Sequence, residues 1–180
     1  RFAFEKFRGS PAVLTTAMKS VGEAMAIGRN FEESFQKALR SLETGHAGWG
    51  GDRPDPSPER SELDRELRTP APDRIFALRT AMVNGYSDAD IHRISAIDPW
   101  FLAKLRRIIT AEERLLKGQS LAALDAAALL ELKQLGFSDR QIAWATGSKE
   151  LEVRAHRQGL GVNAVFKTVD TCAAEFASST

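Results

Sequence analysis

Histidine, cysteine and carboxylate groups catalyse many reactions and bind metals, but this chain does not space them for either task. His46, His92 and His156 lie far apart, with no second ligand at the short spacing that a zinc site needs. The single cysteine, Cys172, has no histidine nearby to act as a base, so we expect a small buried side chain there. The glycine-rich pattern of a phosphate-binding loop is also absent. We therefore predict no catalytic, cofactor-binding or metal-binding residue in this chain.

The stretch GFSDRQIAWATGSKELEVRAHRQGLGV, residues 136–162, has the layout of a helix-turn-helix. DNA readers of this type need polar side chains early in the second helix and cations on phosphates. Here Glu150 and Glu152 stand at those positions and repel phosphate. The net charge of +1, from 25 basic and 24 acidic residues, adds no general attraction to nucleic acid or anionic membranes. We prefer a packing role, and nucleic-acid binding stays the alternative. The packing role predicts a buried contact among Ile142, Ala143, Leu151 and Val153.

The same pattern occurs twice. GYSDADIHRISAIDPWFLAKL, residues 85–105, aligns without a gap with residues 136–156. In each copy a serine and a partner three residues later can cap a short helix: Ser87 with Asp90, and Ser138 with Gln141. In the first copy Pro99, Trp100 and Phe101 occupy the positions where a DNA reader needs polar donors. The repeat therefore predicts two similar units that pack together.

The elements that must position these residues are mostly helical. Apolar residues at helical spacing begin after Asn30, which forms a capping box with Glu33, and end before Gly45. Further helices are predicted at 58–68, 72–84, 98–117 and 121–135. RFAFEKF, residues 1–7, alternates as a half-buried strand does, and residues 20–29 form either a strand or a tight passage beside another backbone. The predicted fold is mainly α: an orthogonal helical bundle of two helix-turn-helix-like units with a short N-terminal β segment.

Composition is that of an ordinary globular chain with one main domain in its 180 residues. The tryptophans Trp49, Trp100 and Trp144 are expected at core or interface positions. The basic run KLRRIITAEER is expected to be a solvated helix face. A lone cysteine favours a reducing compartment, and we predict the cytoplasm. Residues 121–135 are too short and polar to span a membrane. Both ends of the chain look like the middle of a longer protein.

Three strings carry a family resemblance: RFAFEKF, LTTAMKSVGEAMAIGRNFEESFQKALRSLE and KTVDTCAAEFA. Together they resemble the large subunit of carbamoyl phosphate synthetase. The resemblance implies that residues 1–44 end the first (carboxyphosphate) ATP-grasp half. It also implies that residues 45–162 form the helical oligomerisation domain and that residues 163–180 are the linker into the second (carbamoyl phosphate) half. The Gly- and Pro-rich loop at 45–58 would then mark a domain boundary.

Such an enzyme makes carbamoyl phosphate from bicarbonate, ATP and ammonia that a glutaminase small subunit releases from glutamine, and the product feeds pyrimidine and arginine synthesis. The resemblance implies that ATP and Mg²⁺ or Mn²⁺ bind outside this segment, which is then non-catalytic. It implies self-association of large subunits through the helical domain, with no nucleic-acid or membrane partner. It also makes Met18 and Val21 candidates for lining the family's internal tunnel, with plain core packing as the alternative.

Overall fold

The structure is a computed structural model that describes residues 6, 9–20 and 22–169. In this part of the chain it is mainly α, as predicted, and a short 3-10 helix, Leu121–Ala123, precedes α6. The described residues form eight α-helices: α1 (Phe31–Ser41), α2 (Arg60–Arg68), α3 (Arg74–Val83), α4 (Asp88–Ser95), α5 (Pro99–Leu115), α6 (Ala126–Gln134), α7 (Asp139–Thr146) and α8 (Glu150–Gly159).

The chain reaches α1 through an irregular segment. The strand predicted at residues 1–7 lies outside the described residues apart from Lys6. Ser20 makes an isolated β-bridge, and residues 22–30 contain neither helix nor strand. Gly28 lies so close to α1 that a Cβ there would be 2.7 Å from the backbone nitrogen of Ser34. Within residues 22–29 the structure therefore shows no strand, and the close approach to another backbone occurs at Gly28.

Side-chain caps set the starts of α1 and α5. Asn30 Oδ1 accepts a hydrogen bond from the Glu33 backbone N–H at 2.8 Å. The Glu33 carboxylate accepts from the backbone N–H of Arg29, one residue before the position that a capping box requires. Asp98 accepts from the Trp100 N–H at 2.8 Å, and proline occupies the first turn of α5 as predicted. Both helices thus begin after capping residues that can be identified from the sequence alone.

The single helix predicted at 121–135 is wrong, because the chain turns between two elements. The backbone is extended at Leu124, with φ −82° and ψ 109°. Asp125 then accepts a hydrogen bond from the Ala128 N–H at 2.8 Å and starts α6. An aspartate favours this cap over a mid-helix position because its short carboxylate competes for backbone N–H groups. The Leu124 carbonyl lies 2.9 Å from Nε2 of His156, which ties the break to α8.

The two copies of the repeat adopt matching structures. In each copy a serine caps the first helix, and Ser138 and Gln141 complete a reciprocal capping box. The isoleucine of each first helix, Ile91 or Ile142, is fully buried. The connecting turn has left-handed backbone in both copies, at Ala96 (φ 57°) and at the equivalent Gly147 (φ 65°).

This turn predicts opposite effects for two substitutions. Left-handed backbone is costly for a residue with a Cβ. At Gly147 no atom lies near the position that a Cβ would take, so an alanine there adds backbone strain without a steric clash. We expect Gly147→Ala to lower the free energy of unfolding by about 1 kcal/mol, and Ala96→Gly to raise it by about 0.5 kcal/mol. Urea unfolding of each variant measures both. Changes of the same sign at the two sites would show that φ does not govern the turn.

The Gly- and Pro-rich segment at 45–58 is a loop, and part of it lies inside the core. Residues 47–51 are buried. Trp49 is fully buried, and its indole N–H donates to the Ile75 carbonyl at 2.7 Å. Buried Gln36 of α1 donates to the Leu135 carbonyl, and its side-chain oxygen accepts from Nε2 of Gln141 at 2.9 Å. Helix α1 therefore packs within the bundle. The domain limits at residues 44 and 162 stay a prediction.

One residue of the predicted contact between α7 and α8 faces water. Ile142, Ala143 and Val153 are buried, as expected, but Leu151 is 72% exposed. Val153 supplies the face of α8 that turns toward α7, and a residue two positions earlier on a helix points well away from that face.

Candidate functional site

Three aromatic side chains from two helices meet at the surface. We define the aromatic patch as Phe31, Trp100 and Phe101. The Phe31 ring centroid lies 5.5 Å from that of Trp100 and 5.6 Å from that of Phe101, both in edge-on geometry. The Trp100 and Phe101 rings are 5.0 Å apart. Trp100 is 53% exposed and Phe101 is 44% exposed. Clustered aromatic surface of this kind is typical of an interface.

The caps of α1 and α5 place these rings. Phe31 is the first residue of α1, directly after the Asn30 cap, and Trp100 and Phe101 lie in the first turn of α5 after the Asp98 cap. Asn30 also donates through Nδ2 to the Gln134 carbonyl at 3.0 Å. The start of α1 is therefore fixed to the end of α6 as well as beside α5.

The aromatic patch continues into the core. Phe31 stacks on Phe35 with a centroid distance of 5.5 Å, and Phe35 meets buried Trp49 edge-on at 5.6 Å. The patch is thus the exposed end of a continuous row of rings. A surface that rests on packed rings is pre-organised, and less side-chain entropy is lost when it binds.

Charged groups surround the aromatic patch. Lys104 Nζ lies 5.4 Å from the centre of the Trp100 ring, within cation–π range. Next to Phe31, the buried carboxylate of Glu32 forms an ion pair with Arg107 at 2.7 Å. Neither oxygen of Glu32 makes a well-directed hydrogen bond in the described part of the chain. Lys104 thus adds a charge beside the aromatic rings, as the polar rim of a protein interface does.

A buried arginine holds the loop 45–58 on the bundle. Arg79 of α3 donates to both carboxylate oxygens of Asp55 and to both of Glu112, at 2.7–2.9 Å. It also donates to the Trp49 carbonyl at 3.1 Å. Burial alone would lower the pKa of the Arg79 guanidinium, but the hydrogen bonds with Glu112 and Asp55 outweigh it and raise that pKa. The group therefore stays charged, and it joins the loop, α3 and α5.

The two repeats share an aspartate–arginine ion pair. Asp88 begins α4 and accepts from Nη2 of Arg106 on α5 at 2.7 Å. At the equivalent positions, Asp139 begins α7 and accepts from Nε of Arg157 on α8 at 3.1 Å. Lys133 is a second partner of Asp139, at 2.9 Å. Burial would raise the pKa of Asp139, but the charges of Lys133 and Arg157 lower it overall.

Asp139 therefore makes stability depend on pH. Its pKa is depressed in the folded state, so its contribution is complete above the ordinary aspartate range and is lost as the pH falls through the folded-state value. We expect Asp139→Asn to lower the free energy of unfolding by about 2 kcal/mol near neutral pH, below the full cost for a buried pair because some partners reach water. Urea unfolding near neutral pH and near pH ~3 measures the difference, which should shrink in acid.

Asp88→Asn is the matched control for this prediction. Asp88 is more exposed than Asp139, and among the described residues only Arg106 forms an ion pair with it. We expect a smaller loss at neutral pH. A cost of Asp139→Asn that stays constant down to acid pH would contradict the proposed ionic origin.

The histidines considered in the sequence analysis make separate contacts. The ring of His46 stacks on Phe76 with a centroid distance of 4.1 Å, and His92 Nδ1 lies 2.8 Å from the Ile97 carbonyl. The described residues contain no group of three or more histidine, cysteine or acidic side chains that could hold a metal ion. Cys172 lies outside the described residues. Each histidine has a structural contact instead.

The tunnel candidates are placed only in part. Met18 is 74% exposed. Val21 lies outside the described residues. The assignment of both to a tunnel stays a prediction.

The basic run KLRRIITAEER is not simply a solvated face, and here sequence reasoning missed the residues that hold helices together. Each arginine pairs with an acidic residue of another helix: Arg106 with Asp88, Arg107 with Glu32, and Arg114 with Glu131. Helical periodicity gives no signal for such pairs, because their members are distant in sequence. The repeat does offer one signal, since Arg106 and Arg157 occupy equivalent positions.

The basic side chains of α8 are also engaged. Arg154 lies 3.7 Å from Asp139 and 3.9 Å from Glu150, and Arg157 bonds both Asp139 and the Val162 carbonyl. Glu152 accepts from the Lys149 backbone N–H. Both arginines of α8 thus pair with carboxylates of the second unit, which leaves them less available to bind phosphate.

Comparisons with known proteins identify the family of this chain. Residues 23–161 match the family model described as the carbamoyl-phosphate synthetase large chain, oligomerisation domain. The chain belongs to this family. Over its full length it is 58% identical to a carbamoyl phosphate synthase large chain of Nostoc sp. and 57% identical to one of Synechocystis sp.. It is 52% identical to a protein of Oryza sativa named as an arginine-specific, chloroplastic large chain.

This oligomerisation domain accounts for only a small part of these relatives. All of the chain aligns, but it spans 16%, 17% and 15% of the three proteins. The family match includes α1 and the aromatic patch, as well as the whole repeat. Within the described residues, no helix is long and apolar enough to cross a membrane.

Proposed function

We propose that this domain is the helical spacer and self-association module of a carbamoyl phosphate synthetase large chain. In that protein residues 1–44 would end the first ATP-grasp half and residues 163–180 would lead into the second. The single observation that carries the proposal is the match of the whole chain to large chains about six times its length. We infer that the two helix-turn-helix-like units form an orthogonal bundle that keeps the flanking halves at a constant separation.

The parent protein would make carbamoyl phosphate from bicarbonate, ATP and ammonia, with a glutaminase small subunit as the ammonia source. Its product would serve pyrimidine and arginine synthesis. We propose that ATP and Mg²⁺ or Mn²⁺ bind in the parts of the parent protein outside this chain. We therefore assign no catalytic step to this chain. We propose a cytoplasmic location, although plant relatives are named as chloroplastic.

Exposed apolar side chains on the outer helices support the proposed self-association. Four large apolar side chains of the second half of the domain face water: Leu130, Trp144, Leu151 and Leu160. Their packing partners within the described chain leave these side chains about half exposed or more. Exposed apolar side chains on outer helices are the groups that a symmetric contact with a second copy would bury.

We expect the double substitution Trp144→Ala with Leu151→Ala to weaken self-association of the large chain at least ~10-fold, since interface anchors each contribute about 1–2 kcal/mol. Sedimentation equilibrium of the full chain measures the dissociation constant. Because both side chains are exposed, folding should survive, and buried Trp49 reports this by fluorescence. Trp100→Ala is the matched control and should leave association unchanged. Unaltered association of the double variant would contradict this surface assignment.

A further inference from the structure

Side chains of α1 and of its capping residue bond the carbonyl groups at the end of α6. Three donors serve three consecutive carbonyls at 2.7–3.0 Å: Asn30 bonds Gln134, Gln36 bonds Leu135, and Arg40 bonds Gly136. The last carbonyls of a helix have no partner within it, so these hydrogen bonds fill places that α6 leaves open. Arg40 also puts a positive charge at the negative end of the α6 dipole. Helix α1 therefore caps the C-terminus of α6.

Two buried glutamines extend this contact into a hydrogen-bond network. Gln36 Oε1 accepts from Nε2 of Gln141 at 2.9 Å and from the Trp49 backbone N–H at 3.3 Å. Gln141 Nε2 also donates to the Gly50 carbonyl at 2.8 Å, and its Oε1 accepts from the Ser138 backbone N–H at 2.9 Å. Both glutamine side chains are buried. The network thus joins α1, the loop at 45–58 and α7 within the core.

Comparison of the two repeats shows that the second unit, α6–α8, is held from outside. Asp90 takes the position of Gln141 in the first unit, α3–α5, but its side chain is partly exposed. The turn before α4 is held from within that unit, because Arg106 of α5 donates to the carbonyls of Met82 and Tyr86. The second unit instead takes donors from α1, which is not part of the repeat.

The second unit leads directly to the point where the chain leaves the bundle. Helix α8 is held on α7 by buried Val153 and by the ion pair of Asp139 with Arg157. Arg157 also donates to the Val162 carbonyl at 2.9 Å, which fixes the first residues after α8. Packed and hydrogen-bonded contacts therefore run from the entry at Asn30 to the exit at Val162.

We propose that Gln36 and Gln141 are positioning residues, which fix where the chain enters the bundle relative to where it leaves. An apolar helix contact can slide at little cost, whereas sliding α1 would leave buried amide groups without partners. The network therefore admits one arrangement of α1 on the second unit. The consequence for the spacing of the two synthetase halves rests on the proposed function, but the arrangement within the bundle does not.

Double electron–electron resonance on the full large chain tests this role. Ser41 of α1 and Gln158 of α8 are exposed, so both accept genetically encoded spin labels, and labelled chain is diluted into unlabelled chain. We expect one narrow distance distribution, which becomes at least ~2-fold wider in the double variant Gln36→Leu, Gln141→Leu. Asp90→Leu is the matched control, since it alters the equivalent cap in the first unit, and it should leave the width unchanged. An unchanged width in a folded double variant would overturn the proposal.

Gly48→Ala tests the same network without changing either glutamine, and it decides the matter if the double variant does not fold. A Cβ at Gly48 would lie 2.5 Å from Nε2 of Gln141, and the backbone there is not left-handed, so alanine acts by displacing the amide. We expect a wider distribution in the original chain and no further widening once Gln141→Ala has removed the amide. Equal widening in both backgrounds would contradict the proposed role.

Circular dichroism of each variant checks that it is folded. Sedimentation of the same samples keeps the proposed function separate, because both labels lie within one bundle. A large chain that never self-associates would refute the proposed self-association, while the distances would still report on the glutamine network.

Discussion

Replacing Arg79 by methionine is expected to lower the free energy of unfolding by about 3 kcal/mol. The substitution keeps the apolar volume but leaves Asp55 and Glu112 without their shared cation, and breaking a buried pair costs about 3–5 kcal/mol. We take the lower end because both carboxylates retain some contact with water. The Trp49 carbonyl also loses its donor. Urea unfolding followed by circular dichroism measures the change.

A control and a rescue variant sharpen this result. Arg65 is 73% exposed and lies 3.6 Å from Glu62, so Arg65→Met should cost no more than about 0.5 kcal/mol. Adding Glu112→Gln and Asp55→Asn to Arg79→Met should recover part of the loss, since no uncompensated charge remains. An Arg79→Met variant within about 1 kcal/mol of the original chain would show that the network does not stabilise the fold.

Replacing Trp49 by alanine is expected to lower the free energy of unfolding by about 4 kcal/mol. The side chain is fully buried, packs edge-on against Phe35, and donates to the Ile75 carbonyl. Large-to-small changes of buried aromatics cost about 3–5 kcal/mol through lost burial and a residual cavity. The cavity would also remove the support beneath the aromatic patch. Urea unfolding and the solvent exposure of Trp100 fluorescence report the two effects.

Trp144→Ala is the matched control for this substitution. Trp144 is the same residue type in a half-exposed position on α7, and we expect its loss to cost below about 1 kcal/mol in the monomer. Because both substitutions remove the same side chain, the difference between their unfolding free energies measures the effect of burial. Equal costs at the two tryptophans would mean that loop 45–58 is not part of the cooperative core.

The loop at 45–58 is rich in glycine and proline, yet part of it lies in the core. Its backbone comes within contact of side chains that a Cβ would displace: at Gly50 an added Cβ would overlap the side chain of Arg79. The glycines there leave room for the guanidinium. Sequence composition correctly predicts a loop, but the burial depends on Arg79 and Gln141, which belong to distant helices.

The sequence by itself determined several helix starts and the family. Asn30, Asp98 and Ser138 start helices because their side chains accept backbone N–H groups within three residues, a distance that any short window contains. The repeat aligns two units whose turns and buried isoleucines match. The strings that resemble large subunits are likewise contiguous, and the family match agrees with them.

Only the tertiary structure decided which side chains are exposed and which charged groups form ion pairs. Trp49 and Trp100 are the same residue type, yet one is core and the other is exposed, because burial depends on elements far away in sequence. Arg79 meets Asp55 and Glu112 across 24 and 33 residues of chain, and no periodicity encodes such a meeting. The aromatic patch exists for the same reason: two capped helix starts, distant in sequence, lie side by side only once the bundle has packed.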